Sequence, residues 1–189
     1  MADELHGMRV AFVVANEGIE QVELTEPWRA VQNAGGRPEL VAPKPGTARA
    51  MNHLDWADEF PVDRTTADAH ADDYDAMVLP GGVANPDQLR LDKPAMRLLH
   101  EVAEAGKPIA VICHGPWSLI DAGVARGRTM TSWPSLRTDL TNAGTTWVDR
   151  EVVVCDEGPN RVVSSREPGD LPAFCATFVD VFAQRPVAH

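Results

Sequence analysis

Residues 109–116 read IAVICHGP. The apolar run at 109–113 suits a strand buried on both faces, as strands of a parallel sheet are. Directly after it come His114, Gly115 and Pro116, and then a helical run reaching Ala122. Gly115 permits a tight backbone. Pro116 fits the first position of a helix, where no amide hydrogen is needed. A strand that turns this sharply into a helix lifts the side chain at the apex out of the sheet, which is the geometry of a nucleophile elbow. The apex here is Cys113. A lone cysteine at a strand end is more often a small core hydrophobe, and it is the turn after it that reverses the balance. Its thiolate would face the positive end of a helix, so a depressed pKa is expected. Backbone amides of the turn and of Gly82 are candidates to hold an oxyanion.

Outward from this stretch, residues 9–15 (RVAFVVA), 38–43 (PELVAP) and 76–80 (AMVLP) read as further buried strands. Residues 20–34 and 93–105 read as amphipathic helices, stopped by Gly35-Gly36 and Gly106. Later come a strand near 129–132, a helix over 136–142, strands at 151–155 and 162–165, and a final helix over 171–184. Phe174, Phe178 and Phe182 recur every four residues along that last helix. Residues 44–75, rich in Pro, Asp and Ala, are expected to be loops with room for a short hairpin. Strands alternating with helices give an α/β fold with a mostly parallel sheet covered on both faces. Ligands of such folds sit at the carboxyl ends of the strands, where Gly81-Gly82 and the Cys113 turn share an edge.

The bulk properties narrow the function. The 189 residues fit a single domain over 1–189 with a core of its own. Seventeen basic against 28 acidic residues give a net charge of −11, which disfavours phosphate backbones and anionic lipid, so neither nucleic acid nor membrane is an expected partner. The opening MADELHG is polar and acidic, and no apolar run approaches a membrane span. Three distant cysteines make no disulfide framework. The expected location is cytoplasmic. No zinc-spaced cysteine pair, HExxH, P-loop or GxGxxG occurs, so neither metal nor cofactor is expected. Cys155 and Cys175 read as core, His100 as a helix-surface residue, and His53, His70 and His189 as loop or tail.

Residues 76–116 also carry a resemblance. AMVLPGG followed by GKPIAVICHGPWSLIDAGVARGR, with VANEGIEQVELTEP, TSWPSL, NAGTTWVDREVVV and SSREPGDLPAF in order around them, is similar to the ThiJ/PfpI superfamily, near its PfpI-type intracellular proteases and bacterial general stress proteins. The resemblance implies a three-layer flavodoxin-like sandwich, like that of class I glutamine amidotransferases. It places Cys113 as nucleophile with His114 beside it, and Glu20 as the acid hydrogen-bonded to the sulfur, with Glu17 and Glu23 open as alternatives in register. It matches Asp87 to an acid that reaches the histidine of a neighbouring subunit, in a homodimer or a hexamer built from dimers. On the residues alone, Glu20 would read as a solvated acid in a first helical turn and Asp87 as a cap or Asx turn. Trp133, after a strand, is a candidate to line the pocket, although an aromatic packed under a loop is the more frequent role.

Three reactions suit such a cysteine. Glyoxalase or deglycase chemistry on reactive carbonyls or their protein adducts ranks ahead of a cysteine peptidase. A thiol sensor or holding chaperone, with Cys113 cycling to sulfenic or sulfinic acid, comes third. Glutamine amidotransfer fits the elbow but needs a histidine well downstream, and only His189 follows His114.

Overall fold

The computed structural model describes residues 3–184; His189 lies outside them. Arg9–Val13 (β1) begins the central sheet. Glu17–Glu20 (β2) leaves that sheet and runs straight into the helix Gln21–Asn33 (α1). Arg37–Ala42 (β3) returns parallel to β1, with Phe12 opposite Leu40. Thr47–Asn52 (β4) and Asp55–Pro61 (β5) form an antiparallel hairpin that joins β2 in a separate three-stranded sheet. Arg64–Thr65 (β6) pairs along β3. Then follow Ala76–Leu79 (β7), Ala84–Leu89 (α2), Lys93–Glu104 (α3), Ile109–Ile112 (β8) and Pro116–Asp121 (α4). Thr129–Met130 (β9), Arg137–Asn142 (α5), Thr146–Trp147 (β10), Val152–Cys155 (β11), Val162–Ser165 (β12) and Leu171–Ala183 (α6) complete the described chain.

The central sheet runs β11-β12-β8-β7-β1-β3-β6. Every neighbouring pair is parallel except β11 with β12. Its strands are buried on both faces because their side chains alternate between two cores. Ala11, Met77, Leu79, Ile109 and Val111 meet Leu98, Leu99, Leu119 and Leu140 of α3, α4 and α5 on one side. Val10, Phe12, Val78, Ala110 and Ile112 meet Leu24, Val31, Phe174 and Phe178 of α1 and α6 on the other. This is the mostly parallel sheet covered on both faces that the apolar runs predict, in the three-layer flavodoxin-like form that the resemblance implies. Among the described residues no helix is long and apolar enough to cross a membrane.

Two stretches depart from the sequence reading. Residues 44–75 hold the β4–β5 hairpin and β6 rather than mostly loop. β5 (DWADEFP) is exposed along nearly its whole length, so no buried face imprints a period on it; backbone pairing with β4 makes it a strand. The segment after Gly82, where Asp87 on its own reads as a cap or Asx turn, is the short helix α2, with Pro86 in its first turn, where proline is tolerated. Both additions flank the carboxyl edge of β1, β7 and β8.

Candidate active site

Cys113 follows β8 at the middle of the sheet with φ +62°, a left-handed conformation that β-carbons disfavour. The strand pins it on both sides, since its amide donates to the Ser165 carbonyl (3.1 Å) and its carbonyl accepts from the Trp133 amide (2.9 Å). The turn leaves no room at position 115: a β-carbon there would lie 2.7 Å from Val111 Cγ2 and 2.9 Å from the Ile112 and Leu79 carbonyl oxygens. Rotating the backbone at Cys113 also brings its sulfur to 3.1 Å from His114 Nδ1. Two adjacent residues thus point the same way. His114 is buried, stacked against Trp133 at 5.7 Å and edge-on to Trp117 at 5.3 Å. Burial lowers its pKa to about 4, so the imidazole is neutral at pH 7.

The acid beside the sulfur is Glu23, not Glu20. Because β2 is extended and α1 starts only at Gln21, Glu20 stands before the helix and Glu23 in its first turn, buried. Pro27 has no amide hydrogen to return to the Glu23 carbonyl four residues earlier, which loosens this first turn. Glu23 is fully buried. Its carboxyl abuts the Cys113 sulfur and the amides of Gly81 and Gly82, yet neither oxygen reaches ordinary hydrogen-bond geometry. Burial first, and the charge of Glu20 second, push its pKa up to about 8, so it is mostly protonated at neutral pH.

The depressed thiol pKa expected from the helix end is not what this environment imposes. Burial, followed by the Glu23 charge, raises Cys113, and the amides of Gly82 and His114 only partly offset them. The helix behind the elbow, α4, has only six residues, and burial is the largest influence on the thiol.

A cavity of about 540 Å³ opens over the sulfur, lined by Glu20, Glu23, Met51, His53, Leu54, Gly82, Val83, Asp87, Cys113, His114 and Trp133 among others. Cys113, His114, Glu20, Asp87, Gly82 and Trp133 therefore gather at one place, although Glu20 sits away from the sulfur, accepting the His53 amide at 3.1 Å, and Glu17 is exposed and hydrogen-bonded to Gln88 instead. Asp87 is exposed on α2 at the mouth. Gly82, with φ +87°, could not carry a β-carbon, which would lie 2.7 Å from the Glu20 nitrogen. Cys155 is buried as expected, whereas Cys175 is half-buried; His100 is exposed with Nδ1 3.1 Å from the Ala122 carbonyl. No group of three or more His, Cys, Asp or Glu among the described residues is arranged to hold a metal.

Residues 8–181 match the DJ-1/PfpI family. The chain belongs to that family. It is 40% identical over 172 residues to Deglycase PfpI of Pyrococcus furiosus, covering 91% of this chain and 98% of the relative. It is 38% identical to General stress protein 18 of Bacillus subtilis, covering 89% and 94%. The fold superposes on the crystal structure of Drosophila melanogaster DJ-1beta with a TM-score of 0.81 at 24% identity, over 98% of this chain and 92% of that one.

Two site residues of this DJ-1/PfpI chain escaped the sequence reading. Asn85 is fully buried; its Oδ1 accepts the Ala15 amide (2.7 Å) and its Nδ2 donates to the Pro80 and Gly81 carbonyls (3.0 Å each). It ties the end of β1 to the glycine loop over the sulfur. Its only trace in the sequence is its place three residues after Gly82. The other is His53, at the hairpin tip with φ +57°, which no periodic pattern marks.

Proposed function

We propose that this chain is a cysteine-dependent hydrolase that removes reactive-carbonyl adducts from proteins, with Cys113 as its nucleophile. The observation that carries the reading is the strained elbow, which holds the sulfur against His114 and Glu23 under a largely apolar cavity of side-chain size. The Pyrococcus relative is named a deglycase and the Bacillus one a general stress protein.

In the resting site Cys113, His114 and Glu23 are all uncharged. As the sulfur adds to the electrophilic carbon of the adduct, its proton passes to His114 Nδ1 across the 3.1 Å contact. The C–S bond forms, the C–N bond to the modified side chain breaks, and the leaving amine takes a proton. A proton then moves from the sulfur-bearing carbon to the adjacent carbonyl carbon through an enediol, leaving a thioester. Water cleaves the thioester to a 2-hydroxy acid and free thiol, so one water is consumed and no oxidant is required. Charge developing on oxygen is met by the Gly82 and His114 amides and by the protonated Glu23. Asp87, which has no side-chain partner among the described residues of its own subunit, serves to orient His114 of a neighbouring copy in a homo-oligomer.

The test follows methylglyoxal adducts of N-acetyl-arginine, free methylglyoxal and a panel of fluorogenic peptides, in wild type and Cys113→Ser. Adduct loss and 2-hydroxy acid release should proceed with free methylglyoxal held constant by a trap, and both should fall by on the order of 10³-fold or more in Cys113→Ser. Adduct loss that only tracks depletion of free methylglyoxal would make the protein a glyoxalase, and cleavage of peptides alone a peptidase.

A further inference from the structure

With Glu23 beside the sulfur, Glu20 is left without the part the sequence assigned to it, and its surroundings are specific. It is only 8% exposed, yet it lines the cavity over Cys113. The 13-residue helix α1 starts at the next residue, so Glu20 stands at its positive end. Asp87 lines the same cavity, and among the described residues no lysine or arginine does. The nearest group that could share the charge, the His53 imidazole, lies 3.9 Å away and is 81% exposed, where solvent screens it. In the floor, Glu23 is fully buried with neither oxygen hydrogen-bonded, so the pocket holds an unmet polar demand as well as a negative wall. Apolar walls of low dielectric concentrate the field of an unpaired carboxylate inside a cleft.

We infer that Glu20 makes this pocket selective for cationic substrates. Among carbonyl adducts it takes those built on guanidinium or ammonium side chains and refuses those built on anionic thiol compounds. The identity of the substrate rests on the hydrolase reading above; the charge preference does not. The guanidinium or ammonium lies towards Glu20 and the cavity mouth, leaving the modified carbon towards the sulfur, and the Trp133 ring adds a face that cations favour.

Charged thiol reagents read this field without turnover. Cys113 is labelled with trimethylammonium-ethyl, methyl and sulfonatoethyl methanethiosulfonate, with peptide mapping to separate it from Cys155 and Cys175, and rates are divided by those of a free thiol. The cation-to-anion ratio at Cys113 should exceed the free-thiol ratio by at least about tenfold at low salt, what one unpaired charge at ~8 Å gives between a cation and an anion at an effective dielectric of about 60. It should shrink as salt rises. Glu20→Gln should lower the ratio about tenfold, and Glu20→Asp, which keeps the charge, should largely retain it. A ratio equal to that of the free thiol, or one that survives in folded Glu20→Gln, overturns the inference. In parallel, the ratio of kcat/KM for the N-acetyl-arginine adduct to that for the N-acetyl-cysteine adduct should fall with the labelling ratio. Charge-selective labelling without turnover of any adduct would sink the hydrolase reading and leave the cation preference standing.

Discussion

Glu23 and His114 both lie beside one sulfur, and burial acts on them in opposite directions. Glu23 is raised from 4.5 to about 8, so the folded protein holds a proton that the unfolded chain has lost. Its contribution to stability is complete below the unfolded value and is lost as pH rises through about 8. His114 is lowered from 6.5 to about 4; its contribution is complete above 6.5 and is lost as pH falls towards 4. Glu23→Gln cancels the first effect alone. Urea unfolding should show the variant gaining on wild type by on the order of 3 kcal/mol between about pH 5 and about pH 8. An equal difference at both pH values would mean that Glu23 is ionised in the folded protein. The backbone of Cys113 supplies a second test. At ordinary positions alanine is more stable than glycine by about 0.4–1 kcal/mol. At φ +62° the order should reverse, with Cys113→Gly more stable than Cys113→Ala by about 1 kcal/mol.

The elements that form the site differ in how openly the sequence announces them. β8 and its turn were legible because an apolar run, a glycine and a proline each carry a separate physical constraint, and all three agree at Cys113. Choosing between Glu20 and Glu23 was beyond periodicity. Both are acids at the start of an amphipathic helix, and the choice depends on β2 remaining extended through Glu20 to pair with β4, a tertiary contact. The short helix α2 was hidden by Pro86 and the two glycines before it, which suit a loop equally well. Yet α2 presents Asn85, and here an element-scale prediction follows. Asn85→Ala leaves the Ala15 amide and the Pro80 and Gly81 carbonyls without that partner, at about 1–3 kcal/mol for each buried group left unpaired. A total loss of about 3 kcal/mol is expected in denaturant titrations. Because the glycine loop covers the sulfur, kcat/KM should also drop at temperatures where the variant is fully folded. Unchanged kinetics in the folded variant would mean that the loop is held without Asn85.

At the scale of the molecule, the cavity draws on residues from Gly18 to Pro168, and assembly is proposed to complete it. Cys113→Ala and Asp87→Ala chains, each inactive alone, should regain activity when dissociated and reassociated together. In a mixed dimer one site keeps its cysteine and borrows an intact Asp87, so about a quarter of the wild-type activity should return if exchange is random. A mixture that stays inactive after verified exchange would place Asp87 in the service of its own subunit. The backbone angle at Cys113 bears on longer times as well. The strain there, on the order of 1–3 kcal/mol, is carried by a sheet and two cores that do not need it. In a lineage freed from selection for the reaction, glycine at position 113 would be an easily accepted change that leaves the architecture whole. Drift would then erase the chemistry at its centre long before it erased the scaffold, and descendants could keep the shape for other employment.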